Sequence, residues 1–194
     1  MSDAGETMSE GDARRAIDAV WRIESARLIA GLARLVRDVG IARIARTAGF
    51  DGIGLRAENY WDAESSGLDG SAMAELAGEA GVPVLEVEYI TAWGTSTDRD
   101  ADQQRKEQAV FSMARTFGVR HVNTGLLERL PVDVIVEAFA ELCDRAGELT
   151  IALEFMPYSG VPDLATAWRI LQEADRPNSA LIIDVWLHAL VIRS

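Results

Sequence analysis

Two short apolar runs late in this 194-residue chain each deliver a carboxylate. IALEFMPYSG (151–160) carries Glu154, and LIIDVWLHAL (181–190) carries Asp184, with His188 four residues further on. Apolar strands that present an acidic residue at their C-terminal ends are how parallel β/α architectures assemble a metal or acid/base site. One such Glu alone reads as a paired core carboxylate. Two at successive strand ends read as a functional site for metal or acid/base chemistry, with Glu154, Asp184 and His188 as its candidate residues. After Glu154 the loop Met156-Pro157-Tyr158 runs into Pro162-Asp163, which predicts a cap for a helix beginning at Leu164.

The elements that must position these residues repeat from residue 49 onward. Helical patterns end at Gly49, Gly81, Gly118 and Gly147, each suited to the left-handed position after a helix, and an apolar strand follows each one. The predicted strands are 53–58, 84–90, 119–123, 150–154 and 180–184. Their spacing of about thirty residues is that of a βα unit, and no hairpin signal separates them. Helices over 103–117, with Val110, Met113, Ala114 and Phe117 on one stripe, and over 132–146, with Val136, Phe139, Ala140 and Cys143, complete the pattern. A parallel sheet with helices outside it follows. Five strands fall short of the eight that a closed barrel needs, which leaves an open α/β domain complete in itself or an incomplete barrel.

Residues 13–48 differ. Ile17, Val20, Trp21, Leu28, Leu32, Leu35 and Val39 make one helical stripe, with arginines on the other faces. The predicted organisation is a disordered tail over 1–12, a helical segment over 13–41, and an α/β domain over 42–194. Residues 1–50 hold eight Arg against seven acids, net +1, whereas the remainder holds 11 bases and 24 acids, net −13. The overall charge of −12 argues against nucleic-acid binding, which needs a basic surface. The hydrophobic fraction of 48% supports a packed core, yet no apolar run approaches the ~18 residues of a membrane span. The polar, acidic start MSDAGETMSEGDARR is no secretory signal, so a cytoplasmic protein is expected. Cys143 is the only cysteine, which excludes a disulfide scaffold and a cysteine-rich zinc module.

From about residue 42 to 186 the sequence resembles the xylose isomerase-like TIM-barrel family, which includes sugar phosphate isomerases and epimerases. The likeness is carried by AGFDGIGLRAENYW (48–61), GVPVLEVEYITAW (81–93), FGVRHVNTG (117–125), LEFMPYSGVPDL (153–164) and LIIDVW (181–186), in this order and at this spacing. The resemblance implies a partial (βα) barrel whose five parallel strands match the second to sixth of the family. It also implies a divalent metal, Mg²⁺ or Mn²⁺ first and Zn²⁺ as an alternative, held by Glu154 and Asp184 and polarising a sugar or polyol substrate. Glu58, Glu88 and His121, read at strand ends facing the mouth, are candidate substrate-binding residues. Members usually carry a histidine three residues after the sixth-strand Asp, whereas here Leu187 holds that place and His188 the next. The family's last two strands are not recognisable, and an incomplete barrel is expected to self-associate through open sheet edges and to turn over poorly.

Residues 13–41 resemble instead the opening helix of an extracytoplasmic-function RNA polymerase sigma factor, through AIDAVWRIESARLIAGLARLVRDVG (16–40). The alternative to an isomerase or epimerase is therefore a non-catalytic fusion or regulatory module bearing that helix. A lone helix lacks the area of a standard interface, so a cover over apolar surface is the preferred reading of it.

Overall fold

The computed structural model describes residues 45–94 and 101–184. The tail, the 13–41 helix and His188 lie outside the described residues. In chain order the elements are β1 (Ile53–Arg56), α1 (Ala57–Ser65), α2 (Gly70–Glu79), β2 (Val84–Ile90), α3 (Ala101–Phe117), β3 (His121–Thr124), α4 (Val132–Ala146), β4 (Thr150–Glu154), α5 (Leu164–Ala174) and β5 (Ser179–Ile182).

The five strands form one sheet in the order β1-β2-β3-β4-β5, every neighbouring pair parallel. Strand-facing Ile53, Leu55, Val87, Val122, Ile151 and Leu153 join one core cluster with Val110, Met113, Ile135, Phe139 and Ile170 of the helices. A doubly wound sheet reverses its strand order and carries helices on both faces. Sequential order with one helical layer is instead the arc of a barrel, as the sequence predicted.

The glycine punctuation works as expected. Gly81 and Gly118 take φ of 69° and 68°. The next residue then returns its N–H to the carbonyl five positions back, Val82 to Ala77 at 3.0 Å and Val119 to Ala114 at 2.8 Å. These bonds satisfy carbonyls that the last helical turn leaves open and aim the chain into the following strand. Asp163 caps α5 by accepting from the Thr166 N–H at 2.7 Å, again as predicted.

Boundaries differ where local bonds compete. β1 stops at Arg56, and Glu58 sits in the first turn of α1, where a carboxylate suits the helix dipole. β3 starts at His121 rather than Val119, because the Val119 N–H is used in closing α3. β5 ends at Ile182, so Asp184 lies two residues beyond it. On α4 the buried stripe is Ile135, Ala138, Phe139, Leu142, Cys143 and Ala146. Val136 and Ala140 fall at its margin, because the helix meets both β4 and α5 and so buries a wider arc than one stripe.

One acid lies within the helical layer. Glu107 of α3 is 4% exposed and takes a bidentate pair from Arg145 of α4, Nε to Oε1 at 2.8 Å and Nη2 to Oε2 at 3.1 Å. Removing the guanidinium would strand a buried carboxylate. Arg145→Leu is expected to cost about 2–3 kcal/mol, below the ~3–5 of a wholly buried pair because the Arg145 side chain is 31% exposed. Urea denaturation checks this, and adding Glu107→Leu to that variant should recover part of the loss.

Candidate functional site

In a parallel sheet, residues paired across strands point to the same face, and alternate residues along a strand point to opposite faces. The pairings Arg56–Glu88, Gly54–Glu86, Glu88–Asn123, Asn123–Ala152 and Glu154–Ile182 therefore place Arg56, Glu86, Glu88, His121, Asn123 and Glu154 on the face away from the helices. Gly54 lies beside the two β2 acids, where a Cβ would make ordinary contact with Glu88 Oε1 at 3.6 Å and Glu86 Cβ at 3.9 Å. Arg56 Nη2 approaches Glu88 Oε2 at 3.8 Å, a loose contact.

The register of β2 against β3 shifts between Glu88 and Ile90. Tyr89 reaches across the strand ends, and its hydroxyl donates to Glu154 Oε2 at 2.7 Å. The frame around this bond is dense. Trp93 is fully buried and donates from Nε1 to the Gly125 carbonyl at 3.0 Å, while Thr124 Oγ1 donates to the Ile90 carbonyl at 2.6 Å.

Electrostatics mark the face as one system. Burial pushes the Glu154 carboxyl up; the Tyr89 hydrogen bond opposes this, and the charges of Asp184 and Glu88 reinforce it. Burial likewise raises Glu88, offset by Arg56 and reinforced by Glu86 and Glu58. Burial raises Glu86 too, with His121 opposing and Glu154 reinforcing. Tyr89 is raised by burial and by the Glu154 charge, so it stays a hydroxyl donor.

The sequence candidates are thus distributed as follows. Glu154, Asp184 and Glu88 are brought within electrostatic reach of one another at the strand ends. His121 shares their face but begins β3 rather than ending it, and it faces Glu86. Glu58 lies on α1; its burial raises the carboxyl, but the hydrogen bond and charge of Lys106, 2.6 Å away, leave it lowered overall. His188 lies outside the described residues. Sequence reasoning missed Glu86, Tyr89 and Asn123. The Glu86-Val87-Glu88 alternation was a readable sign of a polar sheet face, whereas Tyr89 depends on the register shift and left no such sign.

Among the described residues no three of His, Cys, Asp and Glu converge as a metal-ligand set. Glu154 and Asp184 nevertheless match in type the hard oxygen donors of a divalent ion such as Mg²⁺, which binds through one or two carboxylates and keeps several waters. Cys143 is a core residue, 1% exposed, with its thiol pushed up to about 12 by burial and by Asp144. No helix among the described residues is long and apolar enough to cross a membrane.

Two outcomes follow. A Cβ at Gly125 would collide with the Tyr89 hydroxyl and come within 2.7 Å of Met156 Cε. Gly125→Ala is expected to cost about 1–3 kcal/mol through overpacking. Most of that cost should vanish alongside Tyr89→Ala in a double-mutant cycle read by urea denaturation. The Cys143 thiol should resist a disulfide-exchange reagent at pH 8 in the native protein and react at once in denaturant, because the thiolate is the reactive form.

The model of the family described as xylose isomerase-like TIM barrel matches residues 42–190. No curated protein sequence matches the chain significantly. Among solved structures, a xylose isomerase domain containing protein from Salmonella typhimurium superposes with TM-score 0.67 at 18% identity, over 80% of this chain and 58% of that one. The IOLI protein with a zinc atom superposes with TM-score 0.61 at 21% identity, over 75% and 56%. A xylose isomerase-like TIM barrel protein from Mycobacterium smegmatis in complex with magnesium gives 0.57 at 17%, over 76% and 56%. At these identities the likeness shows the fold, and the chain spans less than three fifths of the length of each. With 149 of its residues inside the family match, this chain belongs to the xylose isomerase-like TIM-barrel family.

Proposed function

We propose that this protein is of the sugar isomerase/epimerase type, moving a proton at the carbon beside the carbonyl of a sugar or keto-polyol. The observation that carries the reading is the gathering of Asp184 and Glu88 around Glu154 at the strand ends, with the Tyr89 hydroxyl fixed on Glu154. Carboxylates gathered close to one another cost stability, and such clusters belong to acid/base and cation chemistry.

Glu154 and Asp184 would hold a divalent cation, in keeping with the zinc and magnesium in two structures of similar fold. When bound, such an ion polarises a carbonyl and an adjacent hydroxyl. Tyr89 holds Glu154 in one orientation by donating to its Oε2. Glu86 and Glu88, whose protonated forms are favoured by burial, are placed to give or take a proton. Asn123, on the same face, is placed to orient substrate hydroxyls. His188 is proposed as a further catalytic group.

Isothermal titration with Mn²⁺ tests the site. Weak binding is expected, lowered about tenfold or more by Glu154→Ala and unchanged by Glu58→Ala, since Glu58 is committed to Lys106. Equal binding by the Glu154 variant would remove that residue from the site. Loss of aldose–ketose interconversion in Glu154→Gln, with Mn²⁺ supplied, is the expected kinetic counterpart.

A further inference from the structure

Asn123 is 7% exposed, yet its side-chain oxygen Oδ1 has no hydrogen-bond partner. An amide oxygen so placed costs about 1–3 kcal/mol unless something donates to it. Its register partners are Glu88 on one side and Ala152 on the other, so it points into the face that carries Glu86, Glu88 and Glu154. Ala152 has no polar atom to offer, and the carboxylates beyond it accept rather than donate when ionised.

Among the described residues the basic side chains of this region each have a contact of their own, though that of Arg56 is loose. Arg56 faces Glu88, and Lys106 is paired with Glu58. Arg105 lies over the Trp61 ring at 4.8 Å, and Arg129 donates to the Tyr158 carbonyl. A ligand on this face therefore meets acceptors, at least one of which is idle, and little positive charge.

We propose that Asn123 is a specificity residue that accepts a hydrogen bond from a hydroxyl of the substrate, and that the substrate is an uncharged polyhydroxylated compound rather than a phosphate ester or a carboxylic acid. This rests on the reading of the sheet face that carries Glu86, Glu88 and Glu154 as the substrate site. A polyol supplies the donors that Oδ1 and the carboxylates lack. A phosphate group would add negative charge among at least three carboxylates, and among the described residues no Arg or Lys on this face is left uncommitted to receive it.

The test is ligand-observed saturation-transfer NMR on the full chain in EDTA, with ribitol and ribitol 5-phosphate as probes. Ribitol should bind saturably, and its phosphate ester should bind at least about tenfold more weakly, as expected where like charges oppose. Asn123→Leu, close in shape but without the idle oxygen, should lose ribitol binding by a similar factor and melt no lower than the parent. Three results would each overturn the proposal: equal or tighter binding of the phosphate ester, ribitol binding unchanged in Asn123→Leu, or a clearly lower Tm in that variant, which would mean that the amide serves the fold. The ester comparison uses only the parent protein, so it stands even if the variant does not fold. Ribitol has no carbonyl, so the measurement reads binding alone. Ribitol binding without isomerase turnover of any ketose would overturn the proposed reaction and leave this inference intact. Turnover of a neutral ketose with KM unchanged by Asn123→Leu would do the reverse.

Discussion

A parallel sheet whose described helices pack on one face leaves every second strand residue pointing away from them. That constraint organises this molecule. Ile53, Leu55, Val87, Val122, Ile151 and Leu153 point into the helical layer and are nearly all sealed from solvent. The residues between them cannot share that core, and in-register pairing gathers them on the opposite face. In a closed barrel such residues line the interior and the mouth. Here that face carries Glu86, Glu88, Asn123 and Glu154 where apolar residues would have been less costly to bury.

The geometry at the strand ends is fixed by bonds between loops more than by the strands. The chain after β3 is tied to the chain after β2 by the Gly125 N–H on the Ile90 carbonyl and by the Trp93 indole on the Gly125 carbonyl. The chain after β4 is tied in turn by the Gly160 N–H on the Leu126 carbonyl, and the turn at 156–161 is closed by Ser159 Oγ. Gly125 and Gly160 are glycines because neighbours occupy the space of a Cβ, Tyr89 and Met156 at the first and the Glu128 carbonyl at the second. Tyr89 is thereby held where its hydroxyl meets Glu154. A site assembled from three strands gains its precision from this lattice.

What the sequence made legible was whatever local chemistry writes down. Each helix end left a glycine, each strand left an apolar run, and α5 left its capping Asp163. Their thirty-residue recurrence gave the parallel order before any coordinates. Glu154 was legible because it closes an apolar run. Glu58 was read at a strand end because nothing in Leu55-Arg56-Ala57 announces that the chain turns helical there; α1 has no side-chain cap to signal it. Tyr89 and Asn123 were illegible for a different reason. Their roles come from what lies opposite on neighbouring strands, and a single sequence does not record register.

Four acids treated in two ways set this face apart from the helical layer. Glu107 lies in the helical layer and is answered by a bidentate guanidinium that fills both of its oxygens. This is how a buried carboxylate is made tolerable to a fold. Glu88 has only a guanidinium at 3.8 Å, Glu154 has a neutral hydroxyl on one oxygen, and Glu86 has His121 as its nearest counter-charge. None of these partners neutralises its acid as Arg145 neutralises Glu107, although the chain has arginines to spend. A carboxylate left with an open oxygen, beside others in the same state, is unfavourable until a cation or a hydroxyl donor arrives. If the proposed site is occupied, the stability forgone on that face would be recovered on binding, tying occupancy to the stability of the sheet that carries it.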